Sequence, residues 1–198
     1  MMKNKALTLS IVSVFVLVFV LSFASAVTIA NWNFNDENLV VDAGAGTLTI
    51  SDSRVDSYVL GNPSAGTALS TSGWDVANRY IQLNVSTLGY QSINLKLDYK
   101  STPTTGPTQF KIQYSADGTT FTDLGSTTPI SSSFTASPMS TFNLSSISAI
   151  NNNVNAKFRL VVTGLGTGNL HVDNLLIEGV TYTATPTNIP EEISACTT

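Results

Sequence analysis

Four segments of this chain alternate apolar and polar residues with a period of two, and that pattern restricts the fold more than any other feature. Ile81, Leu83 and Val85 alternate with Tyr80, Gln82 and Asn84. Ile93, Leu95, Leu97 and Tyr99 alternate with Asn94, Lys96, Asp98 and Lys100. Phe110, Ile112 and Tyr114 flank Lys111 and Gln113, while Phe158, Leu160 and Val162 flank Lys157 and Arg159. Successive side chains of a strand point to opposite faces, so each run is a strand with one buried face. Weaker strands are predicted at Thr28–Phe34, Thr47–Ile50, Asp56–Leu60, Phe121–Leu124 and Thr141–Leu144. A last one, Asn169–Gly179, loses its alternation at Asp173-Asn174, where a bulge or a change of face is expected.

Composition supports strands over helices. After residue 26, 61 of 172 residues are Ser, Thr or Asn. Thr suits strands, Ser and Asn suit turns, and all three disfavour helix interiors. Asp117-Gly118 between two β-runs marks a hairpin, because both residues tolerate positive φ. Gly106-Pro107, Gly164–Gly168 and Asn151–Asn153 read as loops, and one short helical turn is expected near Ser145–Ile150. About ten short strands separated by turns predict an all-β, two-sheet antiparallel sandwich.

The first 26 residues are a separate unit and hold 18 of the hydrophobic positions. Lys3 and Lys5 precede an apolar run from Leu9 to Phe23, and Ala24-Ser25-Ala26 has the small residues a signal peptidase requires. A hydrophobic signal helix cleaved after Ala26 is expected, which makes the remainder secreted or cell-surface. If uncleaved, it is the one membrane contact. The predicted organisation is a leader over 1–26, a sandwich over 27–179 and a Thr/Pro-rich linker over 180–198. A linker that stops soon after Pro190 suggests an N-terminal piece of a longer protein, with the sandwich as a monomeric module in it.

One His and one Cys exclude a zinc site and an internal disulfide framework. The net charge of −4 becomes −6 once Lys3 and Lys5 leave, which argues against nucleic acid as a partner. Catalytic signals are weak. His171 shares a strand face with Asp173, but no nucleophile elbow accompanies them, and a strand-surface His is the plainer reading. Asp98 and Asp173 as a glycosidase pair have no more support than any two carboxylates. No enzyme activity is expected.

Several stretches together resemble the N-terminal jelly-roll modules, carbohydrate-binding-like in character, of secreted bacterial and archaeal cell-surface proteins. They are Asn31–Phe34, Ala68–Trp74, Gly89-Tyr90 with the following INLKLDYK, FKIQYSADGTTFTDLG, FNLSSISAINNNVNAKFRLVV and HVDNLLIEG. The resemblance implies a jelly roll serving adhesion, envelope structure or presentation of downstream domains. The alternative it implies is a carbohydrate-binding module that targets a linked secreted hydrolase. It also implies a structural calcium between the first and last strands, with Asn35, Asp36, Glu37 and Asp173 at the matching positions.

Extracellular or envelope glycans and proteins are then the expected partners. Trp74 and Tyr90, on predicted loops, are the stacking candidates, and each is equally able to plug a core edge. The polar registers offer Tyr80, Lys96, Asp98, Lys111 and Arg159, with Gln82, Asn84, Asn94, Gln113 and Lys157 beside them. If their strands are neighbours, these form one polar groove. Asn84-Val85-Ser86 and Asn143-Leu144-Ser145 are N-glycosylation sequons.

Overall fold

The alternating segments become the central strands of two facing sheets, because each has one apolar side that must leave water. The computed structural model describes residues 25–55, 57–134 and 139–184. Its strands are β1 (Val27–Trp32), β2 (Ala43–Gly44), β3 (Thr47–Ile50), β4 (Ser57–Leu60), β5 (Thr67–Thr71) and β6 (Tyr80–Asn84). They continue with β7 (Tyr90–Ser101), β8 (Gln109–Ser115), β9 (Thr122–Pro129), β10 (Ser140–Asn143), β11 (Lys157–Gly164) and β12 (Leu170–Thr181). The larger sheet runs β10-β7-β12-β1-β2, with β5 also paired to β12 and β4 to β5; the smaller runs β3-β6-β11-β8-β9. All pairs are antiparallel. The fold is the expected two-sheet jelly-roll sandwich, with first and last strands side by side.

The core lies between the sheets. Ile93, Leu95, Leu97 and Tyr99 of β7 face Phe110 and Ile112 of β8 and Phe158, Leu160 and Val162 of β11, all buried. Tyr99 and Phe110 meet edge-to-face with ring centroids 4.8 Å apart. Each such side chain, fully buried, contributes roughly 1.5–3 kcal/mol, so these registers decide which face of every central strand stays wet. Trp32, Phe34 and Trp74 close the sandwich edges.

Some elements differ from expectation. β2 is too short to carry a periodic signal. β5 was not expected because Ala68, Leu69, Ser70 and Thr71 are all buried, so burial does not alternate along it. The two hydroxyl residues are satisfied there: Asn169 Nδ2 donates to Ser70 Oγ at 2.9 Å, and Thr71 Oγ1 donates to the Leu170 carbonyl at 3.1 Å. β1 stops at Trp32 because the chain turns at Phe34, whose φ is +56°. β9 runs on to Pro129 past Gly125, whose φ is +65°. The predicted helical turn is a 3-10 turn at Ser148–Ile150.

The irregularity foreseen at Asp173-Asn174 is a β-bulge. Asp173 pairs with Asp98 and Leu176 with Lys96, so Asn174 and Leu175 share one opposing residue. Asn174 takes a left-handed φ of +49°. On its other edge β12 pairs with β5 up to Val172 and with β1 from Leu175 onward. The bulge therefore sits where β12 exchanges one neighbour for another. β12 continues to Thr181, two residues beyond the expected boundary at Gly179. The expected leader before residue 25 and the expected linker beyond residue 184, Cys196 included, lie outside the described residues. No helix among the described residues is long and apolar enough to cross a membrane.

Candidate functional site

The outward registers of the smaller sheet line up in rows, because directly paired antiparallel residues project to the same side. One row crosses all five strands: Thr49, Gln82, Arg159, Gln113 and Asp123. A second holds Thr47, Asn84, Lys157 and Ser115, and a third Tyr80, Val161 and Lys111. The result is a polar platform with Tyr80 on one flank and Phe121 on the other.

Hydrogen bonds tie the platform into two networks, one on each side of Arg159. Arg159 Nε donates to Gln82 Oε1 at 2.7 Å, Gln82 Nε2 to Asn84 Oδ1 at 2.7 Å, and Asn84 Nδ2 to Thr47 Oγ1 at 2.9 Å. On the far side Asp123 accepts from Gln113 Nε2 at 2.7 Å and Lys111 Nζ at 2.9 Å, which hold its carboxyl below the ordinary range. The Arg159 guanidinium lies between two rings, its carbon 3.9 Å from the Tyr80 centroid and 3.5 Å from that of Phe121. Tyr80, Lys111, Gln113, Phe121 and Arg159 line a groove of about 380 Å³ with Asn78, Thr119 and Val161.

The β8–β9 hairpin positions Phe121. Asp117 Oδ1 accepts from the Thr119 and Thr120 amides, each at 2.7 Å, and from Ser115 Oγ at 2.9 Å. Those bonds, the Thr120 amide's above all, hold the Asp117 carboxyl far below its usual range. Gly118 follows at φ +78°, a left-handed conformation that glycine adopts without strain.

The candidate residues thus divide. Tyr80, Lys111 and Arg159 come together, with Gln82, Asn84, Gln113 and Lys157. Lys96, Asp98 and Asn94 do not join them: β7 belongs to the larger sheet, so the single groove expected from the registers is two opposite faces. Lys96 instead pairs with Glu178 on β12 at 2.6 Å. Trp74 is 1% exposed, and its Nε1 donates to the Thr71 carbonyl at 2.9 Å, so it is an edge plug of the core and not a surface ring. Tyr90 opens β7, half-buried against the core, with its carbonyl accepting from the Asn152 amide at 2.6 Å. Asn84 lies in one of the platform networks, while Asn143 is exposed on the edge strand β10. Phe121 and Asp123 were not among the expected site residues. Their position directly after the Asp117-Gly118 turn was the available signal.

On the larger sheet, Asp98 and Asp173 face outward but are each 2% exposed. The β4–β5 turn, with its cis Asn62-Pro63 bond, covers them. Gly61 is required there, since a Cβ would stand 2.4 Å from Asp173 Oδ2. Asp173 accepts from the Asn62 and Asn174 amides, both at 2.7 Å, yet burial raises its carboxyl to about 6, with Asp98 adding to the rise. Asp98 Oδ2 accepts from Asn174 Nδ2 at 2.9 Å; its Oδ1 is buried without a partner.

Asn35 and Asp173 line one cavity of about 230 Å³. Asp36 and Glu37 stand in an exposed turn and do not line it. Among the described residues no three His, Cys, Asp or Glu side chains group as metal ligands. Of the expected calcium set, Asn35 and Asp173 alone share a cavity, while Asp98 lines a different one with Asn62, Pro63 and Asn174.

His171, with Asp173 on the same strand face as expected, pairs with Ser70 on β5, a neighbour not foreseen from the sequence. Burial, and next Lys100, lower the His171 pKa. Ser70 is wholly buried and already bonded to Asn169, so no substrate reaches it.

No family model and no curated protein matches the sequence. The fold is similar to that of the CBM22-1 xylan-binding domain of Xyn10C from Paenibacillus barcinonensis. The TM-score is 0.54 at 11% identity, covering 82% of this chain and 100% of that one. It is also similar to the CBM22-1–CBM22-2 tandem domain of the same protein, with a TM-score of 0.56 at 13% identity. That match covers 86% of this chain and 49% of the tandem. The jelly roll implied by the resemblance is the fold observed.

Proposed function

We propose that this protein is a non-catalytic, exported glycan-binding module whose ligand lies on the outer face of the five-stranded sheet. One observation carries the reading: the Thr49–Gln82–Arg159–Gln113–Asp123 row presents amide, guanidinium and carboxylate groups, pre-ordered by their own bonds, on a rigid sheet. Sugars are recognised through hydroxyls, and a fixed array of donors and acceptors binds them at little ordering cost. The similarity of fold to a xylan-binding domain supports the reading. A purely structural envelope role would need no such array. Binding here would serve adhesion to a polysaccharide or targeting of linked domains.

The test is the full chain on an array of plant, fungal and bacterial polysaccharides. Each hydrogen bond is worth about 0.5–1.5 kcal/mol, so Gln82→Ala with Gln113→Ala should weaken binding about tenfold. Asn94→Ala, on the other sheet, should leave it unchanged. Absence of binding to every glycan, or equal binding by the double variant, overturns the proposal.

A structural calcium is a second, separate proposal. Asn35 and Asp173 would hold it, the ion would neutralise the buried Asp173–Asp98 pair, and it would tie the turn after β1 to β12.

A further inference from the structure

The platform also says which class of glycan it suits. Seven Lys and Arg remain once Lys3 and Lys5 are set aside with the leader (9 − 2), and the remaining chain carries a net charge of −6 (−4 − 2). Three of those seven, Lys111, Lys157 and Arg159, share this one face, opposed there by Asp123. Lys111 is paired with Asp123 at 2.9 Å. Lys157 and Arg159 have no carboxylate partner among the described residues. Arg54 and Lys100 are likewise without one, so two of the four cations lacking a carboxylate partner among the described residues stand together on this face.

The arrangement of Arg159 matters as much as its charge. Its guanidinium is clasped by Tyr80 and Phe121, and its Nε is spent on Gln82. The ring surfaces turned toward it are thereby occupied and are not open to a sugar. Its two terminal nitrogens make no hydrogen bond to any described residue. A planar donor pair, held by packing and facing a groove, is matched bidentately by a carboxylate. Neutral sugars, by contrast, gain most from uncovered aromatic faces, which this platform withholds.

We infer that the ligand is a uronic-acid polysaccharide, with one carboxylate seated on Arg159 and Lys157 drawing the neighbouring uronate along the sheet. This rests on the glycan-binding reading above and names the class of glycan for that site.

The experiment is calorimetry on the full chain with galacturonate oligomers, guluronate/mannuronate oligomers, the fully methyl-esterified galacturonate oligomers and dextran sulfate. The free acid of at least one oligomer series should bind, and galacturonate, if that is the one, at least tenfold more tightly than its ester. Affinity should fall as salt is raised, by screening. Arg159→Gln should cost at least tenfold. Arg159→Lys should restore only part, because an ammonium lacks the fork. Lys157→Gln, on the same face but outside the ring clasp, should cost several-fold, and it guards against a fold defect in the Arg159 variants.

Neither uronate binding, the ester binding as tightly as the acid, or dextran sulfate binding as tightly as the uronates each overturns the inference. Binding of neutral glycans alone, lost in the Gln82/Gln113 variant, overturns it while leaving the glycan-binding reading intact. Absence of all glycan binding overturns both.

Discussion

Replacing Trp74 separates a core residue from a sugar platform, two roles that are indistinguishable along the chain. The side chain is 1% exposed, and its Nε1 donates to Thr71 at 2.9 Å. Its own carbonyl accepts from the Gly166 amide at 3.1 Å, so it joins the end of β5 to the β11–β12 loop. Truncating a buried Trp to Ala costs about 3–5 kcal/mol through lost contacts and a cavity. The Thr71 carbonyl, left buried without its donor, adds about 1 kcal/mol or more. A total of about 4 kcal/mol or more corresponds to a fall in Tm of roughly 8–16 °C for a module of this size. Trp74→Phe keeps most of the ring volume and loses the hydrogen bond, so about 1–3 kcal/mol is expected. The assay is differential scanning calorimetry of the full chain, with glycan binding measured well below the variant's midpoint. Binding should match the unsubstituted protein within about a factor of two. If Trp74→Ala melted within about 3 °C of the parent and lost its glycan, the core assignment would be refuted and Trp74 would be a surface ring.

Two further outcomes concern the other structural devices. Asp117 has a depressed pKa, so the stability it supplies is present above its unfolded value of 3.8 and is lost only as pH falls through the lower folded value. Following its side-chain carboxyl by NMR should show no titration near pH 4, and a midpoint there would refute the hairpin network that positions Phe121. Calcium at about one hundred times its Kd should raise Tm by roughly 5–11 °C, and Asp173→Asn should abolish the rise, whereas Asp36→Ala with Glu37→Ala should leave it in place. An unchanged midpoint with chelator removes the calcium proposal.

The individual strands were legible in the sequence because burial imposes a period of two wherever one face is dry and the other wet. β6, β7, β8 and β11 follow from that, as does the bulge, where the period fails. β5 carries no such trace because its residues are buried on both sides, with Ser70 and Thr71 satisfied by distant partners. The candidate site was legible only as a set of polar registers. Local pattern states which side of a strand is wet, but not which strands lie together.

That last decision belongs to the tertiary structure. By itself the sequence determined an all-β chain, the faces of its central strands, the Asp117-Gly118 hairpin and the acidic charge of the remaining chain. Pairing β11 between β6 and β8 brought Gln82, Arg159 and Gln113 into one row, and it sent Lys96 and Asp98 to the opposite face. Packing drew Trp74 into the core and closed Tyr80 and Phe121 around Arg159. These contacts join residues up to about ninety positions apart. They form because the two apolar faces must cover each other, a condition no local stretch of sequence expresses.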